Sequence, residues 1–156
     1  MVRMPLAPKP ADFPRIRGAV KFYQVASVIT GTLLLALCAE MLLKYLGGLE
    51  IELAGPSGFL ALVPEGTTTA VNLSTGILIV HGWFYVVYLF SDFRLWSLMR
   101  WPFTRFIVIA LGGVIPFLSF FLEGRIAREV KAYIATREAE AAPVVAQTTP
   151  TVEATP

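Results

Sequence analysis

The chain has 156 residues, of which 56% are hydrophobic and 15% charged, with a mean hydropathy of +0.67 and a formal net charge of +2. An average soluble domain carries about a quarter charged residues, so this composition excludes an ordinary water-soluble domain and reads as an integral membrane protein. The single cysteine, Cys38, excludes an internal disulfide or a cysteine metal cluster, and the single histidine, His81, leaves few routes to metal or haem ligation.

Residues 1–17 form a basic, proline-punctuated tail with Arg3, Lys9, Arg15 and Arg17 among Pro5, Pro8, Pro10 and Pro14. No cleavable export signal is expected there, because the apolar segment that follows is longer than a signal h-region. A first span is predicted over 22–43, charged only at Glu40, which is expected to pair with Lys44 one turn later. Gln24, Ser27, Gly31, Leu35 and Cys38 share one face of it, and Ser27 with Gly31 makes a small pair suited to close helix packing. Leu37 stands where a lipoprotein signal needs a small residue, so Cys38 reads as a buried apolar side chain.

Residues 51–63 are too short to span and are interrupted by Gly55, Pro56 and Gly58, so they are assigned to a loop dipping toward the membrane surface. A second span is predicted over 71–90 without formal charge, and a third over 103–122 with Arg105 in its opening turn. Between them Arg94, Trp96, Arg100 and Trp101 suit an interfacial belt facing lipid headgroups or another protein. Gly76 and Gly82 in the second span, and Gly112, Gly113 and Pro116 in the third, are candidate helix-packing positions; the carbonyl freed by Pro116 needs a donor such as Ser119. The expected architecture is all-α: a three-span membrane domain over 18–134 with a helical extension after the third span, then a disordered Ala-, Pro- and Thr-rich tail over 135–156.

Lysine and arginine in the N-terminal tail and in the 91–102 loop, set against Glu50, Glu52 and Glu65 in the first loop, orient the N-terminus to the cytoplasm of a plasma membrane. Three spans then place the C-terminus outside. Arg125, Arg128, Lys131 and Arg137 after the third span pull the other way.

The second span carries the densest chemistry. Ser74, Leu78, His81, Tyr85, Tyr88 and Asp92 recur at four-three spacing and form one stripe, five of the six polar or amphipathic. Such a stripe turns away from lipid, and the Ser27–Gly31 face of the first span is its expected neighbour. His81 has three readings: an interhelical hydrogen bond, a haem or metal ligand requiring a second subunit, or part of a proton or polar-ligand path through Tyr85, Tyr88 and Asp92. The structural role is favoured, and no cofactor is expected. There is no nucleophile elbow, phosphate-binding loop or zinc spacing, which argues against a self-sufficient enzyme. The basic tail lacks a basic helix or stacking platform, so nucleic acid is not an expected partner.

The residues Val80, His81, Gly82, Trp83, Phe84, Tyr85, Val86, Val87 and Tyr88, followed by Trp96-Ser97, Ile115-Pro116-Phe117, Phe121, Glu123 and Arg125, carry a resemblance, as does Leu43-Lys44-Tyr45. Over roughly residues 18–130 the chain resembles an actinobacterial family of small three-helix integral membrane proteins defined as a domain of unknown function. The resemblance implies a multi-pass plasma-membrane protein and carries no activity or site residue with it. The leading functional expectation is a non-catalytic accessory or interaction subunit of a larger respiratory or cell-envelope complex, in contact with the lipid bilayer and with other subunits or its own copies. The alternative is a small-solute carrier or channel component, a homo-oligomer with a His81-lined polar stripe.

Overall fold

A computed structural model describes residues 7–147. After a short 3-10 turn, Pro10–Asp12, the chain forms α1 (Phe13–Gly47), β1 (Leu49–Gly55), β2 (Gly58–Pro64), β3 (Val71–Asn72), α2 (Leu73–Met99), α3 (Phe103–Leu111) and α4 (Leu118–Gln147). Pro14 pre-sets the first turn of α1, and Gly48, at φ +62°, closes its end by donating to the carbonyls of Leu43 and Lys44. Asn72 caps α2 by accepting from the Thr75 amide at 3.0 Å. With 35 and 27 residues at about 1.5 Å per residue, α1 and α2 are long and apolar enough to cross a membrane.

Helix α2 runs antiparallel to α1. Ser74 meets Glu40 at one end, Thr30 Oγ1 donates to the Phe84 carbonyl midway at 3.2 Å, and the rings of Tyr23 and Tyr88 lie 5.8 Å apart nearer the other end. The predicted third span is not one helix. It stops at Leu111, turns through residues 112–117 and returns as α4, which also runs antiparallel to α1, from Ser119 beside Ser27 to Glu138 beside Arg17. Thus α3 and α4 form a helical hairpin that enters and leaves at the α1 N-terminal end, where the three-span expectation put the two chain ends on opposite sides. Gly112 and Gly113 loosen the helix, Pro116 removes a backbone donor, and Phe117 takes a left-handed φ of +65° to complete the reversal. The turn satisfies its own backbone in short steps: the amides of Gly112, Gly113 and Val114 donate to Ile109, Ala110 and Leu111 at 2.8, 3.2 and 3.0 Å.

This path sorts the charge. Every described Lys and Arg except Lys44 falls toward the α1 N-terminal end, including Arg125, Arg128, Lys131 and Arg137 on α4, whereas Glu40, Glu50, Glu52 and Glu65 sit at the opposite end. The tightest core is also at the basic end, where Phe13, Ile16, Val20 and Tyr23 of α1 meet Leu95, Met99, Trp101, Ile109, Val130 and Ile134. Above it α2 leaves most of its apolar surface uncovered, with Trp83 at 72% exposure.

The fold is not purely helical. Residues 49–72 form a three-stranded sheet in the order β2-β1-β3, where a loop was expected. The β1 and β2 strands pair antiparallel from Leu49–Pro64 to Gly55–Gly58, so the Gly55-Pro56-Ser57-Gly58 stretch that breaks a span is instead the turn of a hairpin. Alternation does the rest: Leu49, Ile51 and Leu53 take one face of β1, and Glu50 and Glu52 the other, where they are buried. Helix α4 likewise overruns its expected limit. Residues 135–147 are helical where a disordered tail was expected, because the Ala-, Glu- and Arg-rich stretch favours helix and Arg17 clasps Glu138 at 2.8 and 2.9 Å. The remainder of that tail, 148–156, and residues 1–6 of the basic tail lie outside the described residues.

Candidate functional site

The α2 stripe occupies the inside of the bundle, and its members do different things. Ser74 donates to Glu40, which is buried although it lies on the first span. The expected Glu40–Lys44 pair is not formed: Lys44 Nζ reaches Glu50 Oε1 at 3.0 Å and Glu65 Oε1 at 3.4 Å, because β1 starts immediately after α1 and folds its carboxylate back over the helix end. Leu78 points outward.

His81 is 9% exposed and stacks on Tyr85, with ring centroids 6.3 Å apart and planes 13° apart; its Nδ1 has no hydrogen-bond partner among the described residues. Tyr85 and Tyr88 have a shared task. Their hydroxyls donate to the carbonyls of Ala110 at 3.2 Å and Ile109 at 2.5 Å, in the last turn of α3. At this helix end the same two carbonyls already accept from the Gly113 and Gly112 amides, and two tyrosines of α2 supply each with a second donor. Glycine is required beneath them: a Cβ on Gly113 would fall 2.5 Å from the Tyr85 ring, and one on Gly112 would fall 2.8 Å from the Tyr88 hydroxyl. At Gly76 and Gly82, by contrast, an added Cβ would meet nothing within 4 Å among the described residues.

Asp92 closes the stripe. It is fully buried, and neither carboxyl oxygen has a partner among the described residues; the Tyr23 hydroxyl, on the α1 face opposite, is also unpartnered. Ser91 beside it donates to the Tyr88 carbonyl at 2.7 Å.

The small face of α1 meets α4 rather than α2. Ser27 and Ser119 hold each other by their hydroxyls at 2.8 Å, Ser119 Oγ donates to the Ser27 carbonyl at 2.9 Å, and Gln24 Nε2 donates to Glu123 Oε1 at 2.6 Å. Gly31 admits the Phe120 ring, which would lie 3.1 Å from an added Cβ. Ser119 therefore serves α1 instead of relieving Pro116. The α2 stripe meets Tyr23 and Thr30, one step around α1 from the expected face; Tyr23, Thr30, Ser119 and Glu123 are the site residues that the sequence pattern missed. Tyr23 lies at i−4 from Ser27, so the same helical period held the signal.

The expected interfacial belt divides. Trp101 is core, 4% exposed, with the Arg105 guanidinium 4.0 Å above its ring. Trp96 joins an aromatic cluster with Phe93, Phe103 and Phe106 and donates its indole N–H to the Pro102 carbonyl at 3.3 Å. Arg100 takes the left-handed α2 C-cap at φ +53°, and Arg94 is exposed. Among the described residues no three His, Cys, Asp or Glu side chains come together in a way that could hold a metal ion.

Chemically, the seam is a set of donors spent on backbone. A proton path along His81, Tyr85 and Tyr88 would need hydroxyls that pass protons onward, but both tyrosines end on carbonyls, which have no proton to hand on. At the acidic end, Glu52 Oε1 accepts from the amides of Ala70 and Thr69 at 2.8 and 2.6 Å, and these bonds hold its carboxyl below the usual carboxylate range. Lys44, foremost, and then the Gly66 amide lower Glu50 from 4.5 to about 2.

Residues 20–128 match a family described as a domain of unknown function (DUF3817). An uncharacterized protein of Mycobacterium tuberculosis and one of Mycobacterium bovis are each 30% identical over 118 residues, covering 76% of this chain and 81% of the relative. One of Mycobacterium leprae is 28% identical over 120 residues, covering 77% and 82%. No solved structure matches the chain. The matched region takes in the α2 stripe, the α3–α4 turn and both faces of α1 that they meet, and with it the chain belongs to the DUF3817 family.

Proposed function

We infer that this protein is a non-catalytic integral membrane protein of the plasma membrane, acting as an accessory or interaction subunit of a larger membrane complex. In this reading α1 and α2 cross the bilayer, with apolar segments over about 22–43 and 73–90, and the α3–α4 hairpin enters from the cytoplasmic side and returns there. Both described ends of the chain are then cytoplasmic. The basic end faces the cytoplasm and the acidic sheet faces out, which agrees with the positive-inside rule. The half-inserted turn at 112–117 is supported by its own short hydrogen bonds and by Tyr85 and Tyr88, as irregular backbone at membrane depth requires.

The observation that carries the reading is how α2 divides its two sides. Its polar side is turned into the chain's own fold, where Ser74, Tyr85 and Tyr88 are hydrogen-bonded and His81 and Asp92 are buried. Its other side, with Ile79, Gly82, Trp83, Val86 and Phe90, is uncovered and has no charge, and Gly82 leaves open space for the close approach of another helix. An inward stripe is also poorly placed to line a pore between copies, which disfavours the carrier alternative.

The test is purification in mild detergent of the wild type and of Gly82→Leu. A defined membrane protein held in fixed stoichiometry by the wild type and lost from Gly82→Leu is the expected result. A pure homo-oligomer that binds or moves a solute would overturn it in favour of the carrier.

A further inference from the structure

A groove of about 290 Å³ lies between the first turn of α1 and the last turns of α2, lined by Arg15, Phe90, Phe93, Arg94, Ser97 and Leu98. Its composition is graded along α2. Phe90 and Phe93, both exposed, lie toward the middle of the helix; Arg94 and Ser97 follow toward its end, and Arg15 completes the polar rim from α1. Arg94 has no ion-pair partner among the described residues, and Arg15 has only Asp12 at 4.0 Å, with its side chain 74% exposed. One guanidinium without an ion-pair partner among the described residues and one held only by a long, exposed pair to Asp12, from different helices, beside a hydroxyl and below an uncovered aromatic wall, match an amphiphile with an anionic head and apolar chains.

We propose that this groove is a binding site for one anionic phospholipid of the cytoplasmic leaflet. Arg15 and Arg94 hold the phosphate through charge-assisted, fork-shaped hydrogen bonds. Ser97 donates to a headgroup oxygen, and an acyl chain runs over Phe93 and Phe90 toward the uncovered face of α2. A lipid seated there ties the N-terminus of α1 to the end of α2 where, among the described residues, no direct ion pair does so. The proposal rests on the membrane placement given above: it needs the basic end at the level of the cytoplasmic headgroups, where anionic lipid attracts basic residues.

Native mass spectrometry of the full chain in micelles doped with phosphatidylglycerol or phosphatidylcholine tests it. Three proteins are compared: wild type, Arg15→Gln/Arg94→Gln, and Arg125→Gln/Arg128→Gln, which removes the same charge from α4 at the same end. The wild type is expected to retain one phosphatidylglycerol in about tenfold preference to phosphatidylcholine. The Arg15/Arg94 variant should lose that preference and the α4 variant should keep it. Equal retention of both lipids by the wild type, or equal loss in both double variants, overturns the site. Flotation of the wild type with vesicles separates the two layers of inference. A chain that does not float sinks the membrane placement itself, whereas one that floats but shows no preference sinks only the groove.

Discussion

The hydroxyl of Tyr88 lies 2.5 Å from the carbonyl of Ile109, joining the middle of one long helix to the last turn of another that stops part-way along the bundle. The pair is fully buried, so the bond has no water to replace it. Tyr88→Phe removes this bond and leaves the Ile109 carbonyl only the one from the Gly112 amide, and it is expected to cost about 1–1.5 kcal/mol. Tyr85→Phe, whose bond to Ala110 is longer at 3.2 Å and only part-buried, should cost about 1 kcal/mol or less. Unfolding of the two variants in detergent checks the ranking; equal losses would mean the hydroxyls do not cap α3.

Glycine supplies a second contrast. A methyl at Gly113 meets the Tyr85 ring at 2.5 Å, so Gly113→Ala is expected to destabilise by about 1–3 kcal/mol through overpacking. Gly82→Ala adds its methyl to open space and should leave the isolated chain as stable as before, or slightly more so. Thermal melts of the purified single variants decide, and a large loss at Gly82 in the isolated chain would place a contact there that the fold does not contain.

Among the described residues Asp92 has neither a counter-charge nor a hydrogen-bond donor. Because no partner is lost, Asp92→Asn should raise stability by about 1 kcal/mol or more, against the usual direction for a buried polar substitution. Denaturant titration in detergent measures this. A marked loss of stability would show that the carboxyl has a partner that binds it in solution.

The three-stranded sheet gives a pH test. Glu50 is lowered from 4.5 to about 2 by Lys44 first and the Gly66 amide next. A carboxyl depressed by folding stabilises the fold above its ordinary range, and that stabilisation is lost as pH falls from about 4.5 toward 2. The Glu50 carboxyl carbon, followed by NMR, should titrate near 2 in the wild type and move back up in Lys44→Met. A midpoint near 4.5 in the wild type would remove the Lys44–Glu50 bond from solution.

Topology is open to a direct reporter. With α4 returning beside α1, a reporter fused after Ala142 should report the cytoplasm, the same side as one fused before Phe13. Activity of an export-dependent reporter at the first position would overturn the half-inserted hairpin and restore a third span.

Much of this was legible in the residues themselves. Hydropathy and a helical period of 3.6 were enough to mark α1 and α2 and to set Ser74, His81, Tyr85, Tyr88 and Asp92 on one side. What was hidden depended on distant partners. Residues 103–122 are apolar over the length of a span; Gly112, Gly113 and Pro116 permit a turn there, and Tyr85, Tyr88 and Ser27, supplied by other helices, hold it. Gly55 and Gly58 break a helix and close a hairpin equally well; the Glu50–Glu52 alternation, more than the glycines, was the sign of a strand. Glu40 and Lys44 have the spacing of an ion pair, yet a strand beginning at Leu49 brought a closer carboxylate to the lysine.

The α3–α4 turn also constrains the order in which the molecule can be made. Its carbonyl donors come from α2 and its serine clamp from α1, both of which leave the ribosome earlier. The last third of the chain thus lacks these tethers until the first two helices have formed. A product ending after Met99 would keep its helix pair but leave Tyr85, Tyr88 and Ser27 without these acceptors, a defect open to recognition by quality-control proteases.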